Sequence, residues 1–245
     1  MKICIDAGHN FSGADTGATG IGGIKEQDIT FSIANILAEN LRNKGHDVIM
    51  TRQKLTDNLG ETVAQSLSNR VEISNSNNCN FFISIHCNSG TPSASGTETL
   101  IAGIGGLAEE YARKIQSSIT SALGTSDRGV RVDTEYLKTR LYVLHNTLCP
   151  AVLIETGFIT NEGDAEKLRN NARGFASAIA SAFNDESPAT PFTDIENHWA
   201  RIHIEKLYAY GIVNGFADGT FLPDKPATRG EVSAMVSNAL SVLGK

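Results

Sequence analysis

Four residues stand where a chain of alternating strands and helices gathers its chemistry. His9 and His86 follow or close apolar strand-like runs, Glu155 closes a third, and Glu26 opens the first helical pattern. The relevant segments are Ala7-Gly8-His9, His86-Cys87-Asn88 and Glu155-Thr156-Gly157. In open α/β sheets ligands collect beyond the carboxyl ends of strands, so these side chains are expected to converge on one crevice. Glu26 returns toward the same edge after a glycine-rich loop. Two imidazoles and one carboxylate from separate elements suit Zn²⁺, with a fourth position left to water. Zinc lowers the pKa of such a water toward about 7. A second carboxylate, off the metal, then has to serve as base and as proton donor to a leaving amine, and Glu155 fits that part.

Types and spacing alone leave a blander account open. Helices commonly begin with a glutamate because of the helix dipole, and a histidine at a strand end is usually a hydrogen-bonded loop residue. There is no compact HExxH signature. Other active sites fit worse. The stretch Gly17 to Gly23 lacks the Lys-Ser/Thr of a phosphate-binding loop and the third glycine of a dinucleotide loop, and no Gly-x-Ser-x-Gly elbow occurs. A Cys87 or Cys149 nucleophile with His145 offers only generic residues.

The elements that must position these groups follow from hydrophobic period. Residues 2–6, 46–51, 81–86, 96–102, 141–144 and 151–155 read as strands. Helical patterns fall at about 25–44, 61–76, 107–123, 162–170 and 172–184, the first marked by Ile29, Ile33, Ile36, Leu37 and Leu41 and stopped by Gly45. Strands alternating with helices predict an α/β fold, a sheet flanked by helices on both sides. The cysteines Cys4, Cys79, Cys87 and Cys149 have no CxxC spacing and read as buried thiols. Strand alternation turns Cys87 away from the face of His86. His46, just before a strand, reads as a surface residue.

The 245 residues are 40% hydrophobic and 20% charged with a formal net charge of -6, the profile of an ordinary globular protein. No basic stripe favours nucleic acid or an anionic membrane, and no apolar run nears the roughly 18 residues of a membrane span. Met1 to Asp6 enters the first strand directly, without the charged start and apolar stretch of a secretory signal, which predicts synthesis in the cytoplasm. Asp185 to Pro191 carries two prolines among small polar residues and reads as a linker. Expected domains are thus residues 1–184, the linker 185–191, and a separate unit 192–245. That unit holds Trp199, helical patterns at about 198–210 and 229–243, and Thr228 with Glu231 at capping-box spacing.

Ordered blocks sharpen the reading. Ile3 to His9, Lys25-Glu26, Thr51-Arg52, Ile83 to Asn88 and Val152 to Phe158 occur in the order found in N-acetylmuramoyl-L-alanine amidases of the amidase-3 family, and residues 1–184 resemble that family almost throughout. Arg70 and the segment from Gly129 to Leu144 share the likeness. The resemblance implies a phosphorylase/hydrolase-like sandwich holding one zinc. His9, Glu26 and His86 match its ligands and Glu155 its catalytic glutamate. The implied reaction cleaves the amide between the lactyl group of N-acetylmuramic acid and L-alanine in peptidoglycan. Asn88 and Arg52 occupy motif positions and are candidates for substrate contact or for structural hydrogen bonds. His145 is a candidate for lining the cleft.

Phe192 to Ile195, His198-Trp199-Ala200, Gly211 to Gly215, Gly219 to Pro223 and Thr228 to Glu231 resemble an S-layer homology module, a small all-α unit. The resemblance implies binding of a secondary cell-wall polymer, with Asp194, Trp199, Gly215 and Arg229 at positions expected near ligand. Trp199 is also expected to lie partly in the core. Such modules commonly come in threes and one is present here, so either several chains form a homo-oligomer or one module merely raises local concentration. The combined expectation is a zinc-dependent wall amidase acting at the bacterial cell wall, a phage or prophage endolysin released through a holin or an autolysin freed by lysis. The alternatives are an inactive wall-binding protein and a zinc peptidase acting on the stem peptide.

Overall fold

A computed structural model describes residues 1–183, 192–196, 198–209 and 211–242. The chain divides into two compact units, Met1–Asn184 and Asp185–Lys245. In the first, β1 (Lys2–Ala7), α1 (Glu26–Asn43), β2 (Asp47–Met50), α2 (Val63–Ser76), β3 (Phe81–Asn88), β4 (Thr97–Ile101) and α3 (Gly106–Leu123) come in turn. They are followed by β5 (Asp127–Val132), α4 (Asp133–Tyr136), α5 (Tyr142–Asn146), β6 (Ala151–Phe158), α6 (Glu162–Asn170) and α7 (Ala172–Ser181).

The six strands form one mixed sheet in the order β2-β1-β3-β6-β4-β5. β2, β1, β3 and β6 are mutually parallel, whereas β4 lies antiparallel to β6 and parallel to β5. The carboxyl ends of β1, β3 and β6 therefore share an edge with the amino ends of β4 and β5. That edge carries the site.

Period-two alternation sends successive side chains to two cores. Ile3, Ile5, Phe81, Ile83, Ile85 and Cys87 face one apolar cluster, where α1 contributes Ile33, Ala34, Leu37, Ala38 and Leu41 at helical spacing. Cys4, Phe82, Leu100 and Leu153 face the other, with Val71 of α2 and Val143 and Leu144 of α5. All four cysteines are free thiols, and Cys87 points away from the face of His86. Gly45 ends α1 at φ 83°, and Thr62 caps α2 by accepting the Gln65 N–H at 3.2 Å.

Three local expectations change. Leu141 to Leu144 is not a strand but the start of the single-turn α5, tied down where the Leu141 N–H donates to Asp133 Oδ2 at 2.7 Å. A four-residue apolar run carries too little periodicity to separate the two states. The edge strand β5, Asp-Arg-Gly-Val-Arg-Val, gave no strand signal because its charged residues and glycine hide the alternation. His46 is buried, with Nε2 3.2 Å from the Phe183 carbonyl oxygen and Nδ1 3.3 Å from the amino terminus.

The second unit contains α8 (Arg201–Ala209) and α9 (Arg229–Val242), with no strand among its described residues. Phe192, Ile195 and Ile204 form its core, with Ala200, Tyr208 and Phe221 packed against them. Thr228 and Glu231 form a reciprocal capping box at the start of α9, with bonds of 2.6 and 3.2 Å. The linker expected at 185–191 lies outside the described residues.

Candidate active site

His9 leaves the end of β1 in a left-handed backbone conformation, φ 65°, which a non-glycine residue adopts only when its surroundings enforce it. Arg52 supplies much of that enforcement. Its guanidinium donates to the carbonyls of Gly8, His9, Gln27 and Leu55 at 3.3, 3.1, 3.1 and 2.6 Å. The side chain is fully buried, and these four bonds make Arg52 a scaffold for the His9 loop. Gly8 must lack a side chain: a Cβ there would sit 2.6 Å from the His86 ring. At Gly17 a Cβ would sit 2.7 Å from both the Glu26 side chain and the His9 ring.

These close approaches bring three donors together. His9, Glu26 and His86 each offer one ligand atom, all within 4.8 Å of one another. Glu26 Oε1 lies 3.2 Å from His9 Nε2 and 3.2 Å from His86 Nδ1. Two donors about 2.0–2.1 Å from a tetrahedral ion stand about 3.4 Å apart, so a zinc ion fits this set. The Glu26 carboxylate is oriented by the Cys87 and Ala18 N–H groups, each at 2.9 Å.

Outer partners fix the histidines. His9 Nδ1 lies 3.2 Å from Asp15 Oδ1, which turns Nε2 toward Glu26. Asp15 in turn accepts from Ser66 and pairs with Arg70 at 3.7 Å. Arg70 also donates to Asp6 Oδ1 at 2.6 Å and to the Ala7 carbonyl at 2.7 Å. Burial disfavours charge on Asp6, but Arg70, Ser84 and Thr51 override it and hold the carboxyl below its ordinary value. Burial likewise opposes protonation of His9, but Asp15 and Glu26 raise it to about 9. Glu26 is held far below the ordinary carboxylate range, because His86 and His9 outweigh its burial. Such a set is poised to bind a cation in place of protons.

Glu155 stands across β3 from this cluster's far side, in register opposite His86. Its Oε2 is shut off from solvent without a hydrogen-bond partner among the described residues. Burial, then the charges of Glu26 and Glu98, push its carboxyl up to about 8. A carboxyl poised near neutral pH can both take and return a proton. Asn88, half-buried, donates to Glu98 Oε1 at 2.6 Å. His145 pairs with the buried Asp133 at 2.9 Å on α5.

Sequence reasoning missed Asp15 and Glu98. Asp15 lies in an irregular loop where no periodicity exists, and Glu98 is a carboxylate inside a short strand whose pairing only the register discloses.

In the second unit Asp194 accepts the Phe221 and Leu222 N–H groups at 2.9 and 2.8 Å, which lowers its pKa. Gly215 lies against Phe192 and the Thr220 carbonyl oxygen, so close that a Cβ would clash at 2.1 Å. Trp199 is 82% exposed, contrary to partial core packing, because Phe192, Tyr208 and Phe221 already fill that small core. Arg229 is exposed at the start of α9.

The profile of the N-acetylmuramoyl-L-alanine amidase family matches residues 3–185, and that of the S-layer homology domain matches residues 191–233. The amidase CwlM of Bacillus licheniformis is 35% identical over 191 residues, covering 75% of this chain and 69% of that protein. The sporulation-specific N-acetylmuramoyl-L-alanine amidase of Bacillus subtilis is 34% identical over the same span and coverage. Among solved structures, the amidase AmiC2 of Nostoc punctiforme superposes with a TM-score of 0.63 at 29% identity, covering 74% of this chain and 94% of that one. The chain belongs to the N-acetylmuramoyl-L-alanine amidase family and carries an S-layer homology domain after its amidase domain.

Proposed function

We propose that this protein is a zinc-dependent hydrolase of the amide between N-acetylmuramic acid and L-alanine, with His9, Glu26 and His86 as metal ligands and Glu155 as the acid–base group. The observation that carries the reading is the convergence of two imidazoles and one carboxylate within 4.8 Å, one strand away from a carboxyl pushed up to about 8. Zinc, when bound, supplies the charge that polarises the amide carbonyl and eases deprotonation of water.

The chain's own residues do the rest. Glu155, shielded and short of hydrogen-bond partners, takes the proton of the attacking water and delivers it to the leaving nitrogen. Asp15 keeps the His9 ring oriented, and the Asp6–Arg70 pair fixes the base of the loop that carries it. Residues 1–184 form the catalytic domain, 185–191 the linker and 192–245 the wall-binding module.

The module is proposed to hold the enzyme on a secondary wall polymer, with exposed Trp199 and Arg229 as contacts and Asp194 and Gly215 shaping the loop between them. Val232, Val236 and Leu240 form an exposed apolar stripe on α9, which supports a homo-oligomer through this unit. An endolysin or autolysin role suits the pairing of a wall amidase with a wall anchor. The test compares wild type with Glu155→Ala on purified walls, with and without their secondary polymer. Wild type should release stem peptides with new L-alanine amino termini, faster when the polymer is present. Zinc-loaded wild type that releases none would overturn the reading.

A further inference from the structure

We propose that Arg128 and Arg131, seated on the buried carboxylate of Glu98, form a subsite for a free carboxylate of the substrate peptide within three residues of the scissile amide. The proposal rests on the amidase reading above and names the peptide class that this site prefers. It follows from a row of side chains crossing the sheet. His86 of β3 is in register with Glu155 of β6, and Glu155 with Glu98 of β4. Paired positions present their side chains to the same face. The ladder from β4 to β5 then shifts register, Thr97 opposite Asp127 but Thr99 opposite Val130, so that Arg128 and Gly129 together face Glu98. Gly129 has φ 84°, as the extra residue of a bulge often requires. The bulge aims Arg128 back along the row, and its Nε meets Glu98 Oε2 at 3.0 Å.

Two guanidiniums share this one carboxylate, because Arg131 Nε also stands 3.4 Å from Glu98 Oε2. Glu98 is 1% exposed, while the Arg128 and Arg131 side chains are 28% and 36% exposed. A purely structural ion pair needs one cation; here a second remains over. Both planes are pinned in place. Arg128 lies over the Phe158 ring at 4.8 Å and donates from Nη2 to Tyr136 Oη at 3.0 Å, and Arg131 lies over the Tyr136 ring at 4.3 Å. Arg128 Nη1 and the Nη groups of Arg131 have no hydrogen-bond partner among the described residues. A pinned guanidinium with unused donors is a preorganised receptor for a carboxylate.

Distance selects the carboxylate. Strands stand about 4.8 Å apart, so Arg128 is two strands, roughly 10 Å, from Glu155. An extended peptide advances about 3.3–3.6 Å per residue, so the carboxylate belongs to the second or third residue after the cleaved bond. In a wall stem peptide these are an acidic residue or its amide, and a diamino acid with or without a carboxylate on its side chain.

The zinc-loaded full chain is assayed on four soluble muramoyl tripeptides, with glutamate or its amide at the second residue and diaminopimelate or lysine at the third. Wild type should favour the acidic form at one of the two positions by about tenfold or more in kcat/KM, chiefly through KM, and the position that matters identifies the carboxylate bound. Arg128→Gln should erase that ratio. Arg128→Lys, which keeps the charge beside Glu98 but loses the fork, should restore part of it, and Arg131→Gln should reduce it less. Equal turnover of acidic and neutral peptides by wild type, or an Arg128→Gln loss common to all four, overturns the subsite. Calorimetric binding of the free acidic peptide separates the two readings. Binding that depends on Arg128 without turnover of any substrate supports the subsite and refutes the amidase assignment.

Discussion

Glu26, at the start of α1, and Glu155, on β6, both neighbour His86 of β3, and their surroundings drive them in opposite directions. Glu26 receives two backbone N–H groups and lies 3.2 Å from an imidazole nitrogen on each side, so it stays ionised far below its ordinary range. Glu155 receives no such donors at Oε2, is shielded from water, and faces the negative charges of Glu26 and Glu98, so it is pushed up to about 8. Residue type is the same; the difference lies in donors supplied. On the function proposed above, the first environment would hold a cation and the second would move a proton.

The largest expected effect breaks that division of labour. Glu155→Gln should retain its zinc, measured by metal analysis, and lose about 10³-fold or more in peptide release, within the range that a missing acid–base group commonly costs or just beyond it. Glu26→Gln should do the reverse: zinc affinity should fall first, and added zinc should recover part of the activity. If Glu155→Gln loses zinc while Glu26→Gln keeps it, the roles are exchanged. A smaller effect tests the outer support of the cation side. Asp15→Asn weakens the bond to His9 Nδ1 without touching a ligand, and should reduce zinc affinity by about 10- to 100-fold, read by chelator competition.

The cation side was far more legible in the sequence than the proton side's surroundings. His9 follows β1, and His86 and Glu155 lie in the second halves of β3 and β6, which run on to Asn88 and Phe158; the apolar runs before all three are unmistakable, and Glu26 begins a helix whose stripe is regular. Period and order were enough to place them at one edge. Asp15, Glu98 and Arg128 were hidden because each depends on a loop, a register or a bulge that no period announces. Arg52 was visible as a motif residue, but only its four carbonyl partners show that it acts by holding the strained His9. α5 and β5 were misread or missed for the same reason. A short apolar run and a charged edge strand owe their state to neighbours.

The smallest expected effect sharpens the comparison most, because its sign differs between the two carboxylates. In metal-free protein Glu155 has its pKa raised from 4.5 to about 8, so the folded state holds a proton that the unfolded chain releases. Stability from that source is fully present below pH 4.5 and fades as pH rises toward about 8. Glu155→Gln removes the penalty. The variant should therefore match wild type near pH 4 and exceed it at pH 8 by about 2 kcal/mol, less than full linkage gives because Glu155 as a whole residue is only half-buried although its Oε2 is shut off. Glu26 has its pKa lowered, so its contribution is present above the ordinary carboxylate range and is lost as pH falls through the folded value. Glu26→Gln should therefore lower stability at pH 7, and its deficit should shrink on acidification. Urea unfolding in chelator reads the two slopes, for Glu155→Gln from pH 4 to pH 8 and for Glu26→Gln from pH 6 down to pH 2, where the wild type's depressed carboxyl takes up a proton. Slopes of the same sign would mean that one environment governs both carboxylates and that the cleft is not divided as its hydrogen bonds indicate.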